Sequence, residues 1–338
     1  MTMGSRIAII GDGAMATLCS RILSQRGCRL RMWSAFPEYA AELARCRENR
    51  RFLPGVRLPE KLEITTDPAS AFEGAELVIS AVPTQFVRDV WRRLRAHCPR
   101  GLPICSVAKG IENDTLLRPT QILADVLTGS PEGRWPLAAL SGPTIAREVA
   151  RELPATAVAA AEDEDLAVRI QRLFTTPYFR VYTNTDLLGV ELAGATKNVI
   201  AIAAGILDGL AAGDNAKAAL LTRGLVEITR LGVALGGRRE TFAGLAGLGD
   251  LVTTCISPHG RNRSFGEAIG RGRTVQQALA ATDSVVEGVA TTRSVVELAR
   301  RHGVEMPITA AVHAVLFEGR KPADAIAELM SRRPKRED

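Results

Sequence analysis

From Asp186 to Gly209 the chain reads DLLGVELAGATKNVIAIAAGILDG. This stretch restricts the possible folds more than any other. Its spacing predicts one long helix, apolar on nearly every side. A helix that is apolar all round cannot face water and must be enclosed by other elements. The second half of the chain therefore has to be built around it. One cation stands in its middle, Lys197. At about 3.6 residues per turn, Lys197 shares a face with Ala193, Gly194, Ala201 and Ala204. All four are small, which would let a ligand come close on that side. Burial disfavours the charged form of a lysine and lowers its pKa. Such a lysine can exchange a proton near neutral pH, as an acid or base must. The plainer alternative is a structural lysine paired with a carboxylate, or one whose head snorkels to solvent.

The N-terminal half follows a different pattern. Arg6–Ile10 is a short apolar run and reads as a buried strand. Gly11-Asp12-Gly13-Ala14-Met15-Ala16 follows at once, then helical spacing from Ala14 to Arg26, then a second apolar run from Cys28 to Trp33. This is the strand, turn, helix, strand context that G-x-G-x-x-[GA] needs to bind a dinucleotide. Gly11 would allow the tight turn, Gly13 would admit a pyrophosphate to the backbone, and Ala16 would keep the helix close to the sheet. The phosphates would sit at the helix N-terminus, where free N–H groups and the dipole favour anions. The alternative is a glycine turn in a parallel sheet with no ligand. The second strand should end in an acidic residue for the ribose hydroxyls of NAD. Ser34-Ala35-Phe36 stand there instead, with Arg31 and Arg51 as nearby candidates for a 2′-phosphate. The choice between NAD and NADP stays open.

Strands and helices keep alternating. Further strands are predicted at Glu76–Val82, Leu102–Ala108, Trp135–Leu140, Thr156–Ala161 and Tyr178–Thr183. Lys109 and the Gly142-Pro143-Thr144 turn lie at carboxyl ends of strands, where open α/β sheets bind ligands. After Asp186 only helical periodicity remains, at Asn215–Leu235, Arg263–Arg271, Thr274–Ala281, Gly288–His302, Pro307–Glu318 and Ala323–Met330. The expected architecture is a Rossmann-type α/β domain over 1–185 and an all-helical domain over 186–338. A disordered tail is expected from Arg332 to Asp338. Two loops of the helical half stand out. In Gly244–Asp250 the carboxylate of Asp250 reads as a helix N-cap or a substrate contact, with the cap favoured. Gly260-Arg261-Asn262-Arg263 suits a phosphate, through bidentate hydrogen bonds and a helix N-terminus, or is a solvated basic loop.

Composition narrows the class. A chain of 338 residues suits two domains. The net charge is +6, but aromatics are only 4% and do not interleave with the basic runs. Nucleic-acid stacking is therefore poorly supported, and a small anionic substrate fits the charge as well. None of the six cysteines forms a C-x-x-C pair and histidine is scarce, so no metal site or disulfide framework is expected and a reducing cytoplasm is the simplest setting. No stretch reads as a membrane span, because Asp208 stops the apolar run after Asn198. Ala14-Met15-Ala16 imitates a signal-peptide cleavage site, but Asp12 and the glycines interrupt the preceding run.

Taken together, GDGAMA at Gly11, RFLPG at Arg51, AKGIE at Ala108, SGPTIA at Ser141, ELAGATKNVIAIAAGILDG at Glu191, AGLGDL at Ala246, RNRSFG at Arg261, VVEG at Val285 and GVEMPI at Gly303 resemble the bacterial-type NAD(P)-dependent glycerol-3-phosphate dehydrogenase family, from Ile7 to about Leu329. The resemblance implies a Rossmann-type domain followed by a helical one, usually in a homodimer. It implies that Lys197 transfers the proton and that Lys109 touches both cofactor and substrate. Gly142, Thr144, Asp250, Gly260, Arg261 and Asn262 correspond to substrate-binding positions. Gly11, Gly13, Ala14, Met15, Ala35, Ala146, Arg261, Val285 and Glu287 correspond to cofactor contacts. The chain departs from the family at Ala14 and Met15, where a serine and an aromatic are common, at Ala35 and Phe36, where polar or basic residues are common, and at Gly260, where a serine is common. The implied reaction interconverts dihydroxyacetone phosphate and sn-glycerol 3-phosphate for phospholipid synthesis. A dehydrogenase of another hydroxy acid would keep the Rossmann half and Lys197 without needing Arg261 and Asn262. A silent dinucleotide sensor would have no use for a buried proton donor.

Overall fold

The computed structural model describes residues 4–334 and 336. The first half runs β1 (Arg6–Ile10), α1 (Ala14–Gln25), β2 (Arg29–Trp33), α2 (Pro37–Cys46), β3 (Glu63–Thr65), α3 (Pro68–Ala71), β4 (Leu77–Ser80), α4 (Thr84–Leu94), β5 (Ile104–Ser106), α5 (Pro119–Thr128), β6 (Leu137–Ser141), α6 (Ala146–Val149), β7 (Ala155–Ala161), α7 (Glu164–Phe174) and β8 (Phe179–Asn184). The eight strands form one sheet in the order β3-β2-β1-β4-β5-β6-β7-β8. Every pairing is parallel except β6 with β7. Parallel strands covered on both faces read as continuous apolar runs, and β4 is buried at all of its residues. Alternate side chains feed two cores. Ile7, Ile9, Met32 and Ile79 pack with Leu18 and Ile22 of α1 on one face. Ala8, Ile10, Trp33 and Val78 pack with Trp91 of α4 and Ile122 of α5 on the other. The chain winds outward from β1 through β2 and β3, then restarts on the other side at β4. This reversal opens a crevice at the carboxyl ends of β1 and β4, where such sheets bind ligands.

The second half is helical: α8 (Leu187–Gly209), α9 (Asp214–Ala234), α10 (Arg239–Ala243), a π-helical turn at Leu245–Gly249, α11 (Asp250–Ile256), α12 (Arg261–Gly270), α13 (Val275–Ala280), α14 (Glu287–Arg301), α15 (Pro307–Phe317) and α16 (Pro322–Met330). Asp186 caps α8, accepting from Gly189 N at 2.8 Å, and ties that cap to α10 by accepting from Thr241 Oγ1 at 2.7 Å. Helix α12 crosses α8 at backbone contact distance. A Cβ on Gly205 would sit 1.9 Å from Arg263 O, and one on Gly266 would sit 2.0 Å from Ile202 O. Only glycine permits this approach.

Several expectations change. By length and hydropathy α8 does reach what a membrane span needs, with 94% of its apolar window buried. Enclosure by its neighbours makes it the core of the helical half. The small residues beside Lys197 serve packing more than ligand access, since Ala193, Ala201 and Ala204 are fully buried in that core. Asp250 is not an N-cap, because the π-helical turn runs straight into α11 and places Gly249 before it, already in helical conformation. The same turn replaces the loop expected at Gly244–Asp250. The expected tail begins too early, since Arg332 pairs with Glu305; its residues 335, 337 and 338 lie outside the described residues.

Candidate active site

Two lysines from separate segments meet on one buried carboxylate. Asp250 opens α11 and is 2% exposed. Lys197, in the middle of α8, places Nζ 2.8 Å from Asp250 Oδ1. Lys109, in the segment after β5, places Nζ 2.7 Å from Oδ2. Lys197 also donates to Thr254 Oγ1 at 2.5 Å, one turn along α11, and Thr254 donates to Asp250 Oδ1 at 3.2 Å. Lys109 donates to Gly142 O at 2.9 Å and to Thr144 Oγ1 at 3.4 Å. The strand ends β5 and β6 and the helices α8 and α11 thus converge on one point.

The electrostatics follow from this geometry. Burial pulls the Lys197 ammonium down from its ordinary value; Asp250 opposes that and Lys109 adds to it, leaving a pKa of about 8. Burial alone would raise Asp250, but the two lysines more than offset it and hold the carboxyl below its usual range. The cluster carries one carboxylate and two cationic side chains, and Lys197 titrates close to neutrality.

A chain of amides links this cluster to the next. Asn198, beside Lys197 on α8, donates to Lys109 O at 2.9 Å. Its Oδ1 accepts from Asn262 Nδ2 at 2.9 Å, and Asn262 Oδ1 accepts from Gly288 N at 3.0 Å. The carboxamide of Asn262 is therefore engaged at both ends within the protein. Gly260 precedes α12 without a side-chain cap, so the first N–H groups of that helix have no intrahelical partner. Arg261 donates to Val285 O at 3.1 Å. Glu287, at the start of α14, accepts from Thr84 N of α4 at 2.9 Å. Burial raises its carboxyl to about 7, opposed by Thr84 and Arg261. Glu287 Oε2 and Thr84 Oγ1 are buried without partners.

On the Rossmann side the residues fit a dinucleotide. Gly11 has φ +112°, and a Cβ there would lie 2.7 Å from Ala81 O, so no other residue fits. Gly13 precedes α1 with no side-chain cap, and a Cβ there would meet nothing within 4 Å. The first N–H groups of α1 are thus without a side-chain cap and the space beside Gly13 is open, as a pyrophosphate at this helix start requires. Ala14, Met15 and Ala146 are partly buried against one face of the sheet and Ala35 against the other. They share no hydrogen bond with the two-lysine cluster among the described residues.

Sequence reasoning did not single out Thr254, Asn198 or Glu191. Thr254 is spaced four residues from Asp250, which a helix starting at Asp250 would have revealed. Asn198 sits beside Lys197 and Glu191 seven residues before it, a face pointing at the Lys109 segment. Glu191 holds the far end of that segment, accepting from Thr120 N at 2.9 Å and pairing with Arg118.

The fold and this cleft define a class: two-domain, dinucleotide-dependent dehydrogenases with a Rossmann sheet and a helical domain that supplies a buried lysine. Models of the NAD-dependent glycerol-3-phosphate dehydrogenase N-terminus and C-terminus match residues 6–167 and 186–327. The chain belongs to the NAD-dependent glycerol-3-phosphate dehydrogenase family. It is 48% identical over 330 residues to an NAD(P)+ glycerol-3-phosphate dehydrogenase of Pelotomaculum thermopropionicum, covering 98% of this chain and 94% of that one. A relative with the same name from Citrifermentans bemidjiense is 49% identical over 335 residues, 99% of each chain. Among solved structures, a glycerol-3-phosphate dehydrogenase from Coxiella burnetii superposes with a TM-score of 0.92 at 37% identity, covering 98% of this chain and all of that one.

Proposed function

We propose that this chain catalyses the NAD(P)-dependent interconversion of dihydroxyacetone phosphate and sn-glycerol 3-phosphate, supplying the latter for phospholipid synthesis. The observation that carries this reading is the pair of lysines on the two oxygens of Asp250. When bound, the nicotinamide supplies or takes up the hydride. The protein's residues do the rest. Lys197 gives its proton to the oxygen on C2 as that oxygen gains charge, and takes it back in the reverse direction. A pKa of about 8 serves both directions near neutrality. Lys109 polarises the carbonyl and stabilises the developing negative charge. Asp250 keeps the two ammonium groups side by side, and Thr254 orients that of Lys197. Arg261 and the first N–H groups of α12, including that of Asn262 after Gly260, hold the phosphate and fix C2 in place. Gly142 and Thr144 shape the substrate side of the Lys109 contact. Gly11, Gly13, Ala14, Met15, Ala35, Ala146, Val285 and Glu287 line the dinucleotide.

In this reading residues 1–185 hold the dinucleotide and 186–338 hold the substrate. The enzyme works in the cytoplasm as a homodimer. An apolar groove of about 750 Å³ between α9, α15 and α16, lined by Leu220, Ile308, Val312, Ile326 and Leu329, supports a partner protomer on that face; a monomer in sedimentation would remove this part. Lys197→Ala tests the core of the reading. Turnover should fall roughly 100-fold or more with little change in dinucleotide affinity; near-normal turnover would sink the assignment.

A further inference from the structure

Asp12 stands between the two glycines of the α1 turn, yet its carboxylate reaches the neighbouring strand. Asp12 Oδ2 accepts from Ser34 Oγ at the tip of β2. That hydroxyl also accepts from Phe36 N at 3.2 Å and has Phe36 O 3.3 Å away, but Asp12 is its nearer acceptor. The turn itself is fixed. Gly11 N donates to Trp33 O at 2.9 Å. Asn49, fully buried, donates to Asp12 O at 2.8 Å and accepts from Tyr39 OH at 2.6 Å. Among the described residues, Asp12 Oδ1 accepts from no other residue.

A carboxylate at the tip of β2 is what accepts the adenosine ribose hydroxyls in NAD-binding sheets. Here the strand end carries no acid, and the glycine turn delivers one to the same place. Of the cations that a 2′-phosphate would need, one is committed to carboxylates and the other stands close enough to Asp12 for its charge to act on that carboxyl. Arg31 is paired with Glu63 at 2.6 Å and Glu73 at 3.1 Å. Arg51 lies over the Phe52 ring, 5.1 Å from its centroid, and 4.0 Å from Asp283. The position next to Ala35 holds Phe36, 65% exposed and uncharged.

We propose that Asp12 selects the cofactor: it accepts the ribose 2′-hydroxyl of NAD(H) and repels the 2′-phosphate of NADP(H). The inference rests on the dehydrogenase reading above and refines it. Discrimination of this kind works through a repulsive element as much as an attractive one.

The test is calorimetric titration of the full chain with ADP-ribose and with 2′-phospho-ADP-ribose, which needs no turnover. Wild-type protein should bind ADP-ribose about 100-fold more tightly, the scale of a like-charge juxtaposition. Asp12→Asn keeps the shape and an acceptor for Ser34. It should shrink the ratio by about 10-fold or more, mainly through tighter binding of the 2′-phosphate ligand. Arg51→Ala should leave the ratio unchanged. Equal or tighter wild-type binding of 2′-phospho-ADP-ribose overturns the proposal without recourse to any variant. So does an unchanged ratio in Asp12→Asn, or a loss of 2′-phosphate binding in Arg51→Ala, which would make Arg51 the reader. Failure of both ligands to bind would remove the dinucleotide reading itself, a different result from a reversed ratio.

Discussion

Replacing Asp250 with asparagine keeps the shape of the site and removes the carboxylate that the two lysines share. The carboxylate lies 2.8 Å from Lys197 Nζ and 2.7 Å from Lys109 Nζ. Breaking a buried pair by removing one partner costs about 3–5 kcal/mol, because a charge is left uncompensated. The enzyme can relieve that cost by giving up a proton. Asp250 holds the Lys197 pKa up, while burial and Lys109 push it down. Without the carboxylate the value must fall below about 8. One pKa unit corresponds to about 1.4 kcal/mol, so even a third of the lost interaction moves it by roughly one unit. Reduction of dihydroxyacetone phosphate needs protonated Lys197, and its rate should decline as pH rises through the Lys197 pKa. In wild type that decline should centre near 8. In Asp250→Asn it should move down by about one unit or more, leaving the enzyme roughly 10-fold slower above neutrality. Oxidation of glycerol 3-phosphate needs neutral Lys197, so its rising limb should move down in parallel. The assay is kcat/KM against pH in both directions. A limb that stays near 8, or one that moves upward, would refute the electrostatic account of the cluster.

Two other substitutions test how the site is held. Glu191→Ala strips Arg118 and Thr120 of their buried partner and should cost about 3–5 kcal/mol in denaturant unfolding, with Glu191→Gln milder because it keeps an acceptor for Thr120 N; equal stability of all three would show that the tether carries nothing. Gly266→Ala places a Cβ 2.0 Å from Ile202 O, so α12 must retreat from α8 and stability should fall by about 3 kcal/mol or more; a soluble variant of wild-type stability would contradict the crossing.

Much of this was legible in the sequence because the decisive elements are long or chemically specific. The glycine turn after β1 and the all-apolar α8 each follow from pattern alone, and Lys197 stands out as a cation where none is expected. The short elements did not show. Strand β3 is three residues at the sheet edge and only partly buried, so its apolar signal is weak. Helix α2 was hidden because only Ala40 and Leu43 of its ten residues are buried, and the short α5 because a brief apolar run does not by itself tell helix from strand. For Asp250 the pattern favoured a cap over a substrate contact, because a capping carboxylate and a buried one look alike until the preceding turn is known to be helical. Asn262 read as a phosphate ligand, but its carboxamide is taken up by Asn198 and Gly288, an arrangement that exists only once α8, α12 and α14 meet. The carboxylate missing from the tip of β2 is supplied by Asp12, close in space and far in sequence.

The most direct test of the central claim compares two substrates with purified enzyme, following loss of reduced nicotinamide absorbance with NADH and with NADPH. Dihydroxyacetone phosphate should be reduced with at least one cofactor, and dihydroxyacetone should be turned over far more slowly, because Arg261 and the start of α12 would have no phosphate to hold. Equal rates with and without the phosphate, or no reduction of dihydroxyacetone phosphate with either cofactor, would contradict the account.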